Sequence, residues 1–253
     1  MKRVFAILSI FLTTACSLFE DRGMCPDFVV LDLDYFPDRS CDESLKLMHW
    51  HDDFLVEKSD MPYNRDVHSY DIPVSDGMVD IAAFSPCDSA RFDEQEKRLI
   101  IPLGEEFHPF YGFARRVYVN GADAYIEGVR LYKQFVRLSF RLRRVPFDEY
   151  DVWVMSDVCG ISTQTFEPIP GAFLHELRPK EDLYECILPR QTDKCDLRVV
   201  IKERSSPNPG QDIEIPIGES IRDNRYDWNS PELADIYVYV DVAKEITVVQ
   251  IIE

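Results

Sequence analysis

Alternation of apolar and polar residues with a period of two restricts this chain more than any other feature. Across residues 28–35, Val29, Leu31, Leu33 and Tyr35 are apolar while Asp32 and Asp34 fall between them. Successive strand side chains point to opposite faces, so this spacing predicts a half-buried strand with its acids outward. Comparable runs occupy residues 78–84, 99–103, 117–120, 125–132, 135–142, 151–155 and 197–202, and residues 236–242 and 246–252 close the chain. Turn formers stand between them, among them Asn120-Gly121, Pro168-Ile169-Pro170-Gly171 and Ser205-Ser206-Pro207-Asn208-Pro209-Gly210. No long amphipathic helix interrupts the series. Many short strands separated by turns predict an all-β sandwich rather than alternating βαβ units.

The 253 residues are 45% hydrophobic and 12% aromatic, enough to bury a core and unlike a disordered chain. Lys and Arg number 28 against 46 Asp and Glu, a formal charge of −18. A protein that neutralises phosphates needs the opposite balance, so nucleic acid is not a partner.

The N-terminus is of another kind. Lys2 and Arg3 precede an apolar run over residues 4–12, and Thr13-Thr14-Ala15 lead to Cys16. This is the order of a signal peptide over residues 1–15, too short for the roughly 20 apolar residues that span a bilayer. Thr13-Thr14-Ala15-Cys16 resembles a bacterial lipobox, with Thr13 where Leu is usual and Leu12 one position early. The resemblance implies that Cys16 becomes the first mature residue and carries the acyl chains, palmitate among them, with residues 16–24 as a lipidated linker. Glu20 and Asp21 nearby resemble the surface-export signals of Bacteroides-type lipoproteins. Loss of Lys2 and Arg3 leaves a mature charge of −20. So acidic a body is repelled by anionic membrane surfaces, which leaves anchoring to the lipid.

Six further cysteines remain: Cys25, Cys41, Cys87, Cys159, Cys186 and Cys195. In an oxidising compartment they permit up to three disulfides in any of 15 connectivities. Cys186 and Cys195, on either side of the turn-like Gln191-Thr192-Asp193-Lys194, form the most plausible pair; six buried free thiols are the alternative.

The closing residues make a hairpin. Ile236, Val238, Val240 and Val242 share one face, Tyr237, Tyr239 and Asp241 the other, Ala243-Lys244-Glu245 turns, and an apolar strand runs to Ile252. An exposed apolar terminal strand is an aggregation hazard unless it pairs, either within its own sheet or by addition to a partner's.

Several segments together resemble FimB-like fimbrial anchor lipoproteins of type V pili. They are the lipobox, Cys25-Pro26 before a strand, His108-Pro109-Phe110-Tyr111-Gly112, and Val129-Arg130-Leu131-Tyr132-Lys133-Gln134-Phe135-Val136-Arg137-Leu138. Ile215-Pro216-Ile217-Gly218-Glu219, Tyr226-Asp227-Trp228 and Asp235-Ile236-Tyr237-Val238-Tyr239-Val240-Asp241 are similar to that family too. The resemblance implies two tandem transthyretin-like β-sandwich domains, over residues 25–120 and 121–253, held at the outer membrane and cell surface by acylated Cys16. It further implies fimbrial (pilin) subunits as partners, with the anchor attaching the fibre and limiting its length. Such pilins exchange strands, so Ile246, Val248, Val249, Ile251 and Ile252 are the expected partner-binding residues.

Signals for other chemistry are sparse. His49-Trp50-His51-Asp52-Asp53 puts two imidazoles on one face of a strand, but the local sequence specifies no third metal ligand, and no metal is expected. Asp32 and Asp34 would lie about 7 Å apart, near a glycosidase carboxylate spacing, without an apolar pocket to raise one pKa. G-x-S-x-G, H-E-x-x-H, G-x-x-x-x-G-K-[ST] and G-x-G-x-x-G are absent, so no catalytic residue, cofactor or enzyme activity is expected. Arg137, Arg141 and Arg143 form a basic stripe that suits an acidic partner surface, lipopolysaccharide phosphates or carboxylates of the same sheet. A surface carbohydrate-binding lipoprotein is the alternative function, with Trp50, Trp153 and Trp228 as stacking platforms.

Overall fold

A computed structural model describes residues 27–33, 44–62, 67–85, 92–93, 96–121, 124–146, 148–180, 183–204, 212–244 and 246–252. Cys16 with its signal peptide, Cys25, Cys41, Cys87, Asp34, Tyr35 and the turn over 205–210 lie outside the described residues.

The chain is an all-β sandwich fold. Its first strands are β1 (Asp27–Asp32), β2 (Ser44–His51), β3 (Phe54–Pro62), β4 (Ser69–Val74), β5 (Gly77–Phe84), β6 (Phe92–Asp93), β7 (Arg98–Ile100), β8 (Tyr111–Val119), β9 (Ala124–Gly128) and β10 (Tyr132–Lys133). There follow β11 (Phe135–Arg143), β12 (Tyr150–Ser162), β13 (Pro168–Leu177), β14 (Pro179–Lys180), β15 (Leu183–Pro189), β16 (Arg198–Glu203) and β17 (Ile213–Ile215). A seven-residue helix, α1 (Ile217–Asp223), precedes β18 (Asp235–Asp241) and β19 (Ile246–Ile252). Among the described residues no helix is long and apolar enough to cross a membrane.

The described strands form four sheets, in the orders β4-β1-β9, β10-β8-β5-β2-β3, β14-β15-β11-β18-β19 and β17-β16-β12-β7-β6, with β13 also pairing β12. Pairing is antiparallel except for β1 with β9 and β11 with β18. The predicted alternation in β1 is met, since Val29, Leu31 and Leu33 are fully buried. In β18, Ile236, Val238 and Val240 face inward as expected.

Three pairings of described strands cross residues 120 and 121: β1 with β9, β7 with β12, and β8 with β10. β9 follows that point yet runs beside β1, with the Val129 N–H donating to the Asp32 carbonyl at 2.8 Å. β6 and β7 precede it yet extend the sheet of β12. At that crossing Gly160 opposes Ile100, and a Cβ there would collide with the Leu99 backbone carbonyl, so only glycine lets the strands meet.

The sheet β10-β8-β5-β2-β3 is buried on both faces, which explains why β5 reads as an almost unbroken apolar run. On one face Leu45, Leu47, Val79, Ile81 and Val117 pack with Val29 and Leu31. On the other, Met48, Trp50, Ala82 and Phe84 join one continuous core with Leu138, Phe140, Val154 and Val238. Phe110 fills the seam, its ring centroid 5.5 Å from Phe107, 6.1 Å from Phe166 and 6.4 Å from Phe84. Beside it the buried Asp80 of β5 accepts two hydrogen bonds from Arg116 of β8, at 2.6 and 2.9 Å, and one from the Gln164 amide in the turn after β12. Lys97 reaches across the same seam to Asp53 at 2.9 Å and lies 5.6 Å from the Trp50 ring centre.

Several sequence expectations are corrected. Pro168-Ile169-Pro170-Gly171 is not a turn but the start of β13, where register shifts against β12 accommodate residues without an N–H. The run over 125–132 divides into β9 and β10, because the chain leaves β1 and crosses to β8. Cys186 and Cys195 are not bonded, and the described cysteines Cys159, Cys186 and Cys195 are free thiols. Cys186 points inward with Tyr184 and Leu188, and burial pushes its pKa up; Cys195, half-buried beyond the turn, is raised by burial to about 12.

Candidate functional site

The sheet β14-β15-β11-β18-β19 ends in an open edge, and the strand at that edge is the one at the end of the described chain. Among the described residues β19 pairs only with β18, from Asp241 opposite Ile246 to Asp235 opposite Ile252. The five expected contact residues divide between its faces. Ile246, Val248 and Ile252 are 46%, 53% and 46% exposed, whereas Val249 is in the core and Ile251 packs against it. Helix α1 packs against β19 and β16, burying Ile217 and Ile221 in the same core, so the strand is held from within and open on its outer side. The arrangement can extend the sheet by one strand, with main-chain hydrogen bonds along the edge.

The basic stripe lies on the outer face of this sheet. Arg137, Arg141 and Arg143 are exposed on β11, the latter two opposite Tyr239 and Asp241 of β18. Arg143 reaches Asp241 at 3.2 Å, and the Arg137 backbone N–H donates to Asp235 at 2.9 Å. The stripe is thus partly balanced within its own sheet.

The two imidazoles do share a pocket. A cavity of about 260 Å³ is lined by His49, His51, Val56, Pro73, Val74, Ser75 and Val79. His51 Nε2 is 2.8 Å from the Asp76 carbonyl, while Asp53 is engaged with Lys97. Among the described residues no group of three or more His, Cys, Asp or Glu is arranged to hold a metal ion. His49 is 3% exposed, its Nδ1 has no hydrogen-bond partner and lies 3.8 Å from Glu57, and burial lowers its pKa. An unfolded His49 takes up a proton near pH 6.5 that the folded site resists, so its stability contribution is full above that pH and declines as pH falls. Thermal unfolding between about pH 7.5 and 5.5 should therefore show a falling Tm that His49→Gln flattens; an unaltered slope would assign the effect to other groups.

The proposed sugar platforms are mostly internal. Trp50 and Trp228 are 1% and 2% exposed, because β2 turns Trp50 into the seam and Trp228 packs on Tyr226 with centroids 4.6 Å apart. Only Trp153 of the three is half-exposed. A polar cleft of about 580 Å³ does open at the seam, but its charges are committed: Arg115 pairs with Glu127 at 3.2 Å, Arg130 with Glu232, and Arg190 holds the Trp228 and Ser230 carbonyls at 2.6 and 2.8 Å. Sequence reading gave no sign of that cleft, since its walls come from five separate stretches of chain between Gly112 and Pro231.

The fold resembles those of solved proteins from Porphyromonas and Bacteroides. Among solved structures, the fimbrial anchor protein Mfa2 of Porphyromonas gingivalis matches with a TM-score of 0.61 and 11% identity, over 90% of this chain and 97% of Mfa2. A Bacteroides thetaiotaomicron protein named for polysaccharide binding matches with a TM-score of 0.60 and 10% identity, over 87% and 93% of the two chains. A second B. thetaiotaomicron protein, named as an adhesin, matches with a TM-score of 0.55 and 12% identity, over 90% and 96%. No protein-family model matches the sequence, and no curated protein does. At these identities the likeness is one of fold.

Proposed function

We propose that this chain is a lipid-anchored fimbrial component, acylated at Cys16 and held at the outer membrane and cell surface. It docks a pilin by strand addition at β19, and so attaches the fibre and limits its length. The observation that carries this reading is the open edge of β19, in a fold that matches 97% of a fimbrial anchor. The lipobox-like Thr13-Thr14-Ala15-Cys16 supports the anchoring half. We also read the fold as two sandwiches, one around each buried cluster, with β9 belonging to the first and β6 and β7 to the second.

Removing β19 is a poor test, because Val249 belongs to the core. Lysines on an edge strand oppose further pairing without disturbing its inward face. The triple variant Ile246→Lys, Val248→Lys and Ile252→Lys should stay folded and membrane-bound while its fibres appear in the medium. Fibres retained at the wild-type level on the cells would overturn the docking role of β19.

A further inference from the structure

The strands β1 to β5, β8 and β9 share one end at which exposed apolar side chains gather. There β2 turns into β3, β4 into β5, β8 stops and β9 starts, and β1 begins with Asp27 opposite Val74 and Phe28 opposite Pro73 and Ala124. The Gly121 N–H donates to the Asp76 carboxylate at 2.9 Å and the Asp52 N–H to the Met78 carbonyl at 3.1 Å, which ties these connections together. Phe54, Tyr118 and Val56 are 78%, 62% and 58% exposed at this end, and Phe28, Leu55 and Met78 are exposed beside them. They are six of the thirteen exposed large apolar side chains among the described residues, whereas the core beneath is closed by Val74, Val79 and Val119 without them.

This arrangement does not suit strand addition. β3 is an edge strand, but beyond Val56 it carries Glu57, Lys58 and Asp60, and charge along an edge opposes pairing with another chain. The apolar side chains are confined to the tip, where an aliphatic and aromatic cluster can enter the boundary between lipid headgroups and acyl chains, with tyrosine at headgroup level. Three acids share the tip: Asp53 is held by Lys97 at 2.9 Å, Asp52 lies 3.7 Å from His51 Nδ1, and Asp76 takes the Gly121 N–H. A headgroup layer is about 5–7 Å deep, so these carboxylates stay hydrated within it while Phe54 reaches the acyl boundary.

We propose that this end is a membrane contact, at which Phe54, Val56 and Tyr118 seat in the headgroup and acyl boundary of the leaflet that holds the Cys16 acyl chains. The inference rests on the reading of Cys16 as the anchor. The step from Cys16 to Asp27 is 11 residues, a reach of at most about 40 Å. The chain thus enters the fold at the apolar end. The opposite end, about 26 Å away along β8, meets the leaflet only if the tether runs back along the body. A contact of three side chains is too small to hold the protein by itself. Tethering raises its effective concentration at the bilayer and turns a weak contact into one that orients the body.

The test uses the full-length acylated protein in phosphatidylcholine vesicles, with and without bromine on the acyl chains, since bromine quenches an indole only where it reaches the acyl boundary. Phe54→Trp should lose about half of its added emission in the brominated vesicles, and Tyr118→Trp on the neighbouring tip should do the same. Tyr111→Trp, at the far end of β8, should lose none beyond the background of Trp50, Trp153 and Trp228. Phe54 and Tyr118 are mostly in solvent, so neither substitution disturbs the core. Equal emission of Phe54→Trp and of Tyr118→Trp in both kinds of vesicle, with the protein floating on each, would overturn the contact and leave the acyl anchor intact. Quenching of Tyr111→Trp to the same degree would overturn it too, since no end would then be favoured. Wild-type protein that fails to float with the vesicles would overturn the anchor reading, and this inference with it.

Discussion

Cys16→Ala will move the protein from the detergent phase and the membrane pellet into the aqueous fraction, with no change in the fold of the mature body. The size of this effect follows from the energetics of acyl chains. Each buried methylene contributes about 0.8 kcal/mol, a single chain holds a protein only marginally, and two or more hold it firmly. Losing the modified cysteine removes every chain together. On the proposed processing the mature body carries −20, which anionic headgroups repel, and no described helix is long and apolar enough to span a bilayer. Mass spectrometry of the wild-type N-terminus should find acylated Cys16 as residue one. A variant that stays in the detergent phase would show that the anchor lies elsewhere in the chain.

Arg116→Ala will destabilise the protein more than Asp80→Asn, although the two residues share one interaction. Asp80 is 6% exposed at its side chain and Arg116 57%, so the carboxylate is the buried partner. Without Arg116 a buried charge keeps only the Gln164 amide, and stranding a buried ion costs about 3 kcal/mol, the lower end of the usual range because half of Arg116 is already in water. For a chain of this size that is a fall in Tm of roughly 6–12 °C. Asp80→Asn removes the charge but keeps a hydrogen-bonding group in place, at about 1–2 kcal/mol. Differential scanning calorimetry of both variants decides the matter. A reversed order, or a loss under about 1 kcal/mol for Arg116→Ala, would mean that water reaches Asp80 and that the pair is a surface contact.

What the sequence disclosed was the side each residue faces. Val29 and Leu31 in β1 with Leu33 just after it, and Ile236, Val238 and Val240 in β18, are buried as their alternation requires. It did not disclose the neighbour of each strand, because a period of two fixes a face and not a partner. Nothing local says that β7 pairs with β12, or that β18 enters beside β11 in parallel. Trp50 shows the same limit: in β2 its apolar environment comes from a second layer on the far side of the sheet, supplied by residues well downstream. The alternation Tyr184, Cys186, Leu188 already contained the sign that Cys186 points inward, away from a turn-spanning bond. At the candidate site, the apolar character of β19 was legible, whereas the division between outward Val248 and inward Val249 needed the register against β18. The acidic Asp80 was hidden, since a lone carboxylate in an apolar run gives no hint that Arg116 and Gln164 converge on it.

The sheet buried on both faces bears on how such chains diversify. Met48, Trp50, Ala82 and Phe84 complete a core whose other members run from Leu99 onward and lie mostly beyond residue 130, and β6 and β7 are lent to a sheet built mostly from later residues. A gene rearrangement that exchanged one half for that of a cousin would have to match this seam side chain by side chain. Diversification is therefore directed to the outer faces and the free edge, where substitutions leave the shared interior untouched. Chains of this build are expected to inherit their two halves together and to differ from one another at the surfaces they present to their neighbours.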